Sequence, residues 1–200
     1  ENTPTSAQHE QLLTMFKQYR PPEPEPAKQD VLAGRYRILL NQPLTQLSSL
    51  FADAYVASDE QEPSSFLYVL IYKNDVPIRQ KNIEVLKELS HPNLVQLLDY
   101  GTVEISTLSE TRFVVILQRP VGQSLSNILS AGKNSASQEV LIAYMLRPMV
   151  EILLSFNKLG ISHNRINLDN VYIANNTVML GECVSEPSGF SQPFLFEPIE

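Results

Sequence analysis

The sequence predicts an α+β protein of two lobes, strands first and helices after, and three observations carry that prediction. Between residues 34 and 118, short runs rich in Tyr, Val, Ile and Leu are separated by polar turns, the signature of an antiparallel sheet. From Gly132 onward the apolar spacing lengthens to a helical period, so strands and helices are segregated along the chain. Finally, 43% of the 200 residues are hydrophobic, enough for one sizeable core or a two-lobed unit.

Residues 1–33 read as an N-terminal extension. Leu12, Leu13, Phe16 and Tyr19 recur at near-helical spacing within residues 6–19, and Pro21-Pro22-Glu23-Pro24-Glu25-Pro26 follows as a stiff extended linker. The first lobe spans 34–117. It opens with strands at 35–40, 52–58 and 66–73, and residues 44–51 turn between the first two. A single helix at 76–89 directs Ile78, Val85, Leu86 and Leu89 toward a core. Strands at 95–103 and 112–118 complete a five-stranded antiparallel sheet. Residues 118–200 form the second, helical part, with Ser135 or Ser137 as N-cap of a helix whose body is 138–157. Pro148 lies inside that body and has no N–H to give, so the spacing predicts a kink there or a helix start displaced toward it.

Charge and cysteine content narrow the function classes. The formal charge is −7 and the pI near 5.0, with no stripe of Lys or Arg, which argues against a nucleic-acid or anionic-membrane surface. Cys183 is the single cysteine, so no internal disulfide or thiolate metal cluster forms, and a reducing cytoplasmic location is the expectation. The longest apolar runs, 66–72 and 113–117, are far too short to cross a bilayer, and the start Glu1-Asn2-Thr3-Pro4 does not read as a signal peptide.

Seven fragments, in order, resemble the protein kinase family. Ala33-Gly34-Arg35-Tyr36-Arg37-Ile38-Leu39 is similar to the opening of bacterial Ser/Thr kinase domains, and His91-Pro92-Asn93-Leu94-Val95 to the turn after helix C. Phe113-Val114-Val115-Ile116-Leu117-Gln118, followed by Gly122-Gln123-Ser124-Leu125, resembles the last small-lobe strand and the hinge, with Leu117 as gatekeeper. Gly160-Ile161-Ser162-His163 resembles the approach to the catalytic loop, and His163-Asn164-Arg165-Ile166-Asn167-Leu168-Asp169-Asn170-Val171-Tyr172-Ile173 the loop itself. Val178-Met179-Leu180-Gly181-Glu182-Cys183-Val184 resembles the D-F-G segment, and Pro198-Ile199-Glu200 the A-P-E that closes the activation segment. The resemblance implies a bilobal kinase-like fold, incomplete at the C-terminus, whose family continues with further helices after Glu200.

It also implies a chain that has lost its chemistry. Arg165 stands where the family has its catalytic Asp, and a guanidinium has no acceptor for the substrate proton. Leu47, Ser49 and Ala52 fall at the positions of the three phosphate-loop glycines, and Asn82 replaces the helix-C Glu that fixes the strand lysine. Lys73, or Tyr72 if the register shifts by one, takes that lysine position. Val184 replaces the D-F-G glycine.

Three residues remain as candidate remnants of nucleotide and Mg binding: Lys73, Asn170 and Glu182, the last with a stem one methylene longer than the family's Asp. Equally open are plainer roles, with Lys73 a solvated strand end, Asn170 capping its own loop and Glu182 facing solvent. His163 and His91 read as braces of their loops, and neither has a partner at metal-ligand spacing. Ser162 and Ser185 have no visible base, and Cys183 reads as an inert thiol. The expectation is a catalytically inactive pseudokinase, with no catalytic residue and no required cofactor, that binds a protein partner. The alternatives are an ATP-binding switch without turnover, or an atypical and weakly active kinase.

Overall fold

In a computed structural model, residues 30–131, 142–175, 177–187 and 190 are described. The expected extension at 6–19, the Pro/Glu linker, the N-cap at Ser135 or Ser137 and the A-P-E-like end lie outside those residues.

Six strands form the main sheet: β1 (Val31–Leu32), β2 (Tyr36–Pro43), β3 (Ala52–Asp59), β4 (Leu67–Tyr72), β5 (Leu97–Ile105) and β6 (Glu110–Gln118). They are antiparallel in the order β1-β2-β3-β4-β6-β5. The two edge strands then approach each other. Asp30 N–H donates to the Glu104 carbonyl at 3.1 Å, and the Asp30 carboxylate accepts from Ser106 N–H at 2.9 Å, so the sheet curls into a nearly closed barrel.

This corrects the expected architecture. The sheet has six strands, not five, because Val31 and Leu32 precede the glycine taken as the start and pair with Tyr36 and Arg37. Leu32 also packs against Gly101, where a Cβ would be too close. Nor is the second part a helical lobe. The described residues after 118 contain a three-stranded sheet, β7 (Gln123–Ser124), β8 (Val171–Ala174) and β9 (Thr177–Leu180), beside two helices. The described residues are therefore mostly β and do not form the expected bilobal kinase-like fold with a helical second lobe. The physical reason lies in the segments Val171-Tyr172-Ile173 and Thr177-Val178-Met179-Leu180: β-branched and aromatic residues at period two form a hairpin whatever motif they resemble.

Among the described residues three α-helices are present: α1 (Gln80–Glu88), α2 (Leu125–Ser130) and α3 (Arg147–Lys158). A π-helical segment, Ile142–Leu146, leads into α3, and Pro148 sits in the first turn of α3, where a missing N–H costs nothing. The start is thus displaced to the proline. Among the described residues no helix is long and apolar enough to cross a membrane.

β4 explains how the layers fit. All six of its residues are buried, because both faces of this central strand are covered. Leu67, Val69 and Ile71 face the barrel interior with Ile38, Val103, Val114 and Ile116. Tyr68, Leu70 and Tyr72 face the other way, into a core shared with Ile83 and Leu86 of α1, Ile152 and Phe156 of α3, and Val171, Val178 and Leu180 of the small sheet. The turn at His91-Pro92-Asn93 ties the two sheets together. Asn93 Nδ2 donates to the Val178 carbonyl at 2.7 Å, and Leu180 N–H to the Asn93 carbonyl at 2.7 Å. That tie sets the segment after β9 against the loop before β8.

Candidate functional site

The loop 161–170 connects α3 to β8, and its centre is His163, which is buried. Its Nδ1 accepts from Arg165 N–H at 3.3 Å, so Nε2 carries the proton and donates to the Gly181 carbonyl at 3.2 Å. The ring stacks on Phe156 at 5.8 Å. Burial, with Arg79 and Arg165 nearby, pulls its pKa down to about 4 although the Gly181 bond opposes this. The expected bracing role is what the geometry describes.

Arg165 is turned inward and only 12% of its side chain is exposed. Nη1 bonds Glu182 Oε1, and Nε donates to Glu186 Oε1 at 3.2 Å. Glu182, expected either to hold a metal or to face solvent, does not face solvent: its side chain is 2% exposed. Oε2 accepts from Val184 N–H at 2.7 Å and Ser185 N–H at 2.8 Å, and Oε1 accepts from Ser185 Oγ at 2.5 Å as well as from Arg165. A carboxylate with four donors, one of them a guanidinium, has little left to offer a cation.

Asn170 is spent on its own loop. Nδ2 donates to the carbonyls of Arg165 and Glu182, each at 2.8 Å, and its backbone N–H donates to Asn167 Oδ1 at 3.0 Å. Gly181 makes the approach of the two segments feasible, since a Cβ there would strike Asn170 Oδ1. Asn170 and Glu182 are thus brought together, but through backbone carbonyls, with the carboxylate directed elsewhere.

Lys73 is not part of this cluster. Its side chain is 47% exposed and Nζ lies 3.8 Å from Asp53 Oδ1. The adjacent residue enters the core instead, and the Tyr72 hydroxyl donates to the Val184 carbonyl at 2.7 Å. Asn82, on α1, donates to the Ser162 carbonyl at 3.1 Å, while Glu84 accepts from Gln80 Nε2 at 2.8 Å. The loop at 44–51 folds on itself. Ser48 Oγ accepts from Ala54 N–H at 2.9 Å, Ser49 Oγ from Phe51 and Ala52 N–H at 3.1 Å each, and Leu44 and Leu47 are buried. Cys183 is buried too, and desolvation pushes its thiol up to about 12, which leaves it protonated and unreactive.

Sequence reasoning missed Arg79. From the start of α1 it clamps both site segments, donating to the Ser162 and Cys183 carbonyls at 2.6 Å each and to His163 O at 3.4 Å. A signal was present, because a cation at a helix N-terminus opposes the helix dipole and must be used elsewhere. Glu186 was missed as well, for want of any motif position. The site opens into a cleft of about 550 Å³, lined by Tyr68, Arg119, Gln123, Asn127, Asp169 and Tyr172 among others, Arg165, Asn170 and Glu182 included.

No protein-family model matches this chain, and no curated protein matches it either.

Proposed function

We propose that this chain is a catalytically inactive pseudokinase, a cytoplasmic scaffold or regulatory module that binds a protein partner. One observation carries the reading. The two side chains at the places of the kinase base and the metal-binding Asp, Arg165 and Glu182, are buried against each other and neutralise each other. A guanidinium accepts no proton, and a carboxylate already satisfied by Val184, Ser185 and Arg165 holds no Mg²⁺ for a phosphoryl group. Lys73 lies outside the site and Tyr72 takes the inward position, so the phosphates of a nucleotide lose their cation as well.

A protein-binding role is supported by α3. Leu146 at its N-cap and Val150 and Leu154 within it, one turn apart, are each more than half exposed, which is an apolar stripe on a helix that buries Ile152 and Phe156. The test is a thermal-shift titration with ATP and ADP, with and without Mg²⁺ or Mn²⁺, alongside a label-transfer assay. Neither a shift nor transfer is expected. A shift without transfer would replace this reading with a nucleotide switch, and transfer of label to any protein would end it.

A further inference from the structure

The cleft holds polar groups that the fold itself does not use. Tyr68 and Tyr172 are 1% and 8% exposed, yet among the described residues neither hydroxyl makes a hydrogen bond. Neither hydroxyl is fully sealed from solvent, so both remain as donors that the fold leaves unused in the lining of the cleft. Arg119, half-buried at the rim, forms no salt bridge with any described residue, whereas Arg165 is consumed by Glu182 and Glu186. Two tyrosine hydroxyls and one free guanidinium therefore converge on the same space.

The charge of the lining limits what fits. Arg119 and Arg165 are offset by Asp169 and Glu182, so the lining carries no net formal charge and has no surplus of cations with which to balance a polyanion. A planar monoanion matches the one free planar cation, because guanidinium and carboxylate pair through two parallel bonds. The phenols then supply further O–H donors to the same group or to its polar body.

We propose that this cleft binds a ligand through a single carboxylate, with Arg119 as the ion-pairing residue and the Tyr68 and Tyr172 hydroxyls as donors. The carboxylate belongs either to a small organic acid or to an acidic side chain of the protein partner, and it rests on the non-catalytic reading only in taking the cleft to be free of nucleotide.

Calorimetric titration of the full chain tests it with two probes, N-acetyl-L-phenylalaninate and a blocked hexapeptide containing one Glu, with inorganic phosphate and ATP as comparisons. Binding of the small acid alone assigns the first source, and binding of the peptide alone the second. Arg119→Gln weakens whichever probe binds by at least about tenfold. Tyr68→Phe weakens it several-fold while leaving Tm unchanged or higher, because the hydroxyl it removes has no internal partner. The proposal falls if neither carboxylate binds at roughly 10 mM, if Arg119→Gln binds as the parent does, or if Tyr68→Phe lowers Tm. Silence from both carboxylates and from ATP removes this inference and leaves the pseudokinase reading intact. ATP binding more tightly than either carboxylate removes both.

Discussion

The barrel interior and the loop site are both buried, and they are held by opposite means. Between the strands, Val69, Ile71, Val114 and Ile116 contribute no polar side-chain atom, and their backbone groups are absorbed by the β4–β6 ladder. Around the loop, His163, Asn170, Glu182 and Ser185 are equally inaccessible, and each is stabilised only because a group of the loop or of the facing segment satisfies it. The first region loses stability in proportion to the methylenes removed. The second is interdependent, since withdrawing one partner strands a buried charge or donor in low dielectric.

The largest expected effect sharpens that contrast. Arg165→Asp restores the residue type of an active kinase loop, but here it removes the guanidinium and sets a third carboxylate beside Glu182 and Glu186. Breaking a buried pair costs about 3–5 kcal/mol, and like-charge repulsion adds to it. Ile116→Val in the barrel serves as reference, at about 1 kcal/mol. Urea denaturation of both variants decides the matter. If Arg165→Asp is no more destabilised than Ile116→Val, the network is solvated and the comparison fails.

Next in size is the response to pH. The His163 pKa is pulled below its ordinary value to about 4 by burial, so the unfolded chain binds a proton that the folded chain refuses. Its contribution is fully present above pH 6.5 and is lost as pH falls from there to about 4, a total on the order of 3 kcal/mol. Asp59 acts in a lower window. Its hydrogen-bonded pair with Arg35 holds its carboxyl at about 2, and the stability linked to it is lost below the ordinary carboxylate range. His163→Gln therefore flattens the stability profile between pH 6.5 and 4 and leaves the acid limb in place. A profile that the substitution does not change would place the proton elsewhere.

The same contrast explains what could be read from the sequence. Alternating or continuous apolar runs located β2 to β6 and α1 to within a few residues, because period and burial are coupled along one element. Val31 and Leu32 escaped because two residues carry no period, and they acquire strand character only by pairing with β2 and closing on β5. The hairpin of β8 and β9 escaped because its residues were read as kinase motifs and not as alternating strand positions. In the site, the positions of His163, Arg165 and Asn170 were legible from order alone. The partners of Arg165 were not, since Glu182 lies 17 residues away and Glu186 lies 21, and nothing local predicts which carboxylate a guanidinium will meet.

The smallest expected effects come from two neighbours in sequence, Tyr72 and Lys73, which belong to the two sides of this comparison. Tyr72 is the last residue of β4 and enters the core, whereas Lys73 lies just beyond the strand, in water. Tyr72→Phe keeps the ring against Phe113 but deletes the donor to the buried Val184 carbonyl, at a cost of about 1–2 kcal/mol. Lys73→Ala removes a half-exposed side chain whose Nζ is 3.8 Å from a half-exposed Asp53, a geometry worth at most about 0.5 kcal/mol. Thermal melts of the two variants therefore separate clearly, with Lys73→Ala close to the parent. A larger loss at Lys73 than at Tyr72 would reverse the register of β4 and return the lysine to the site.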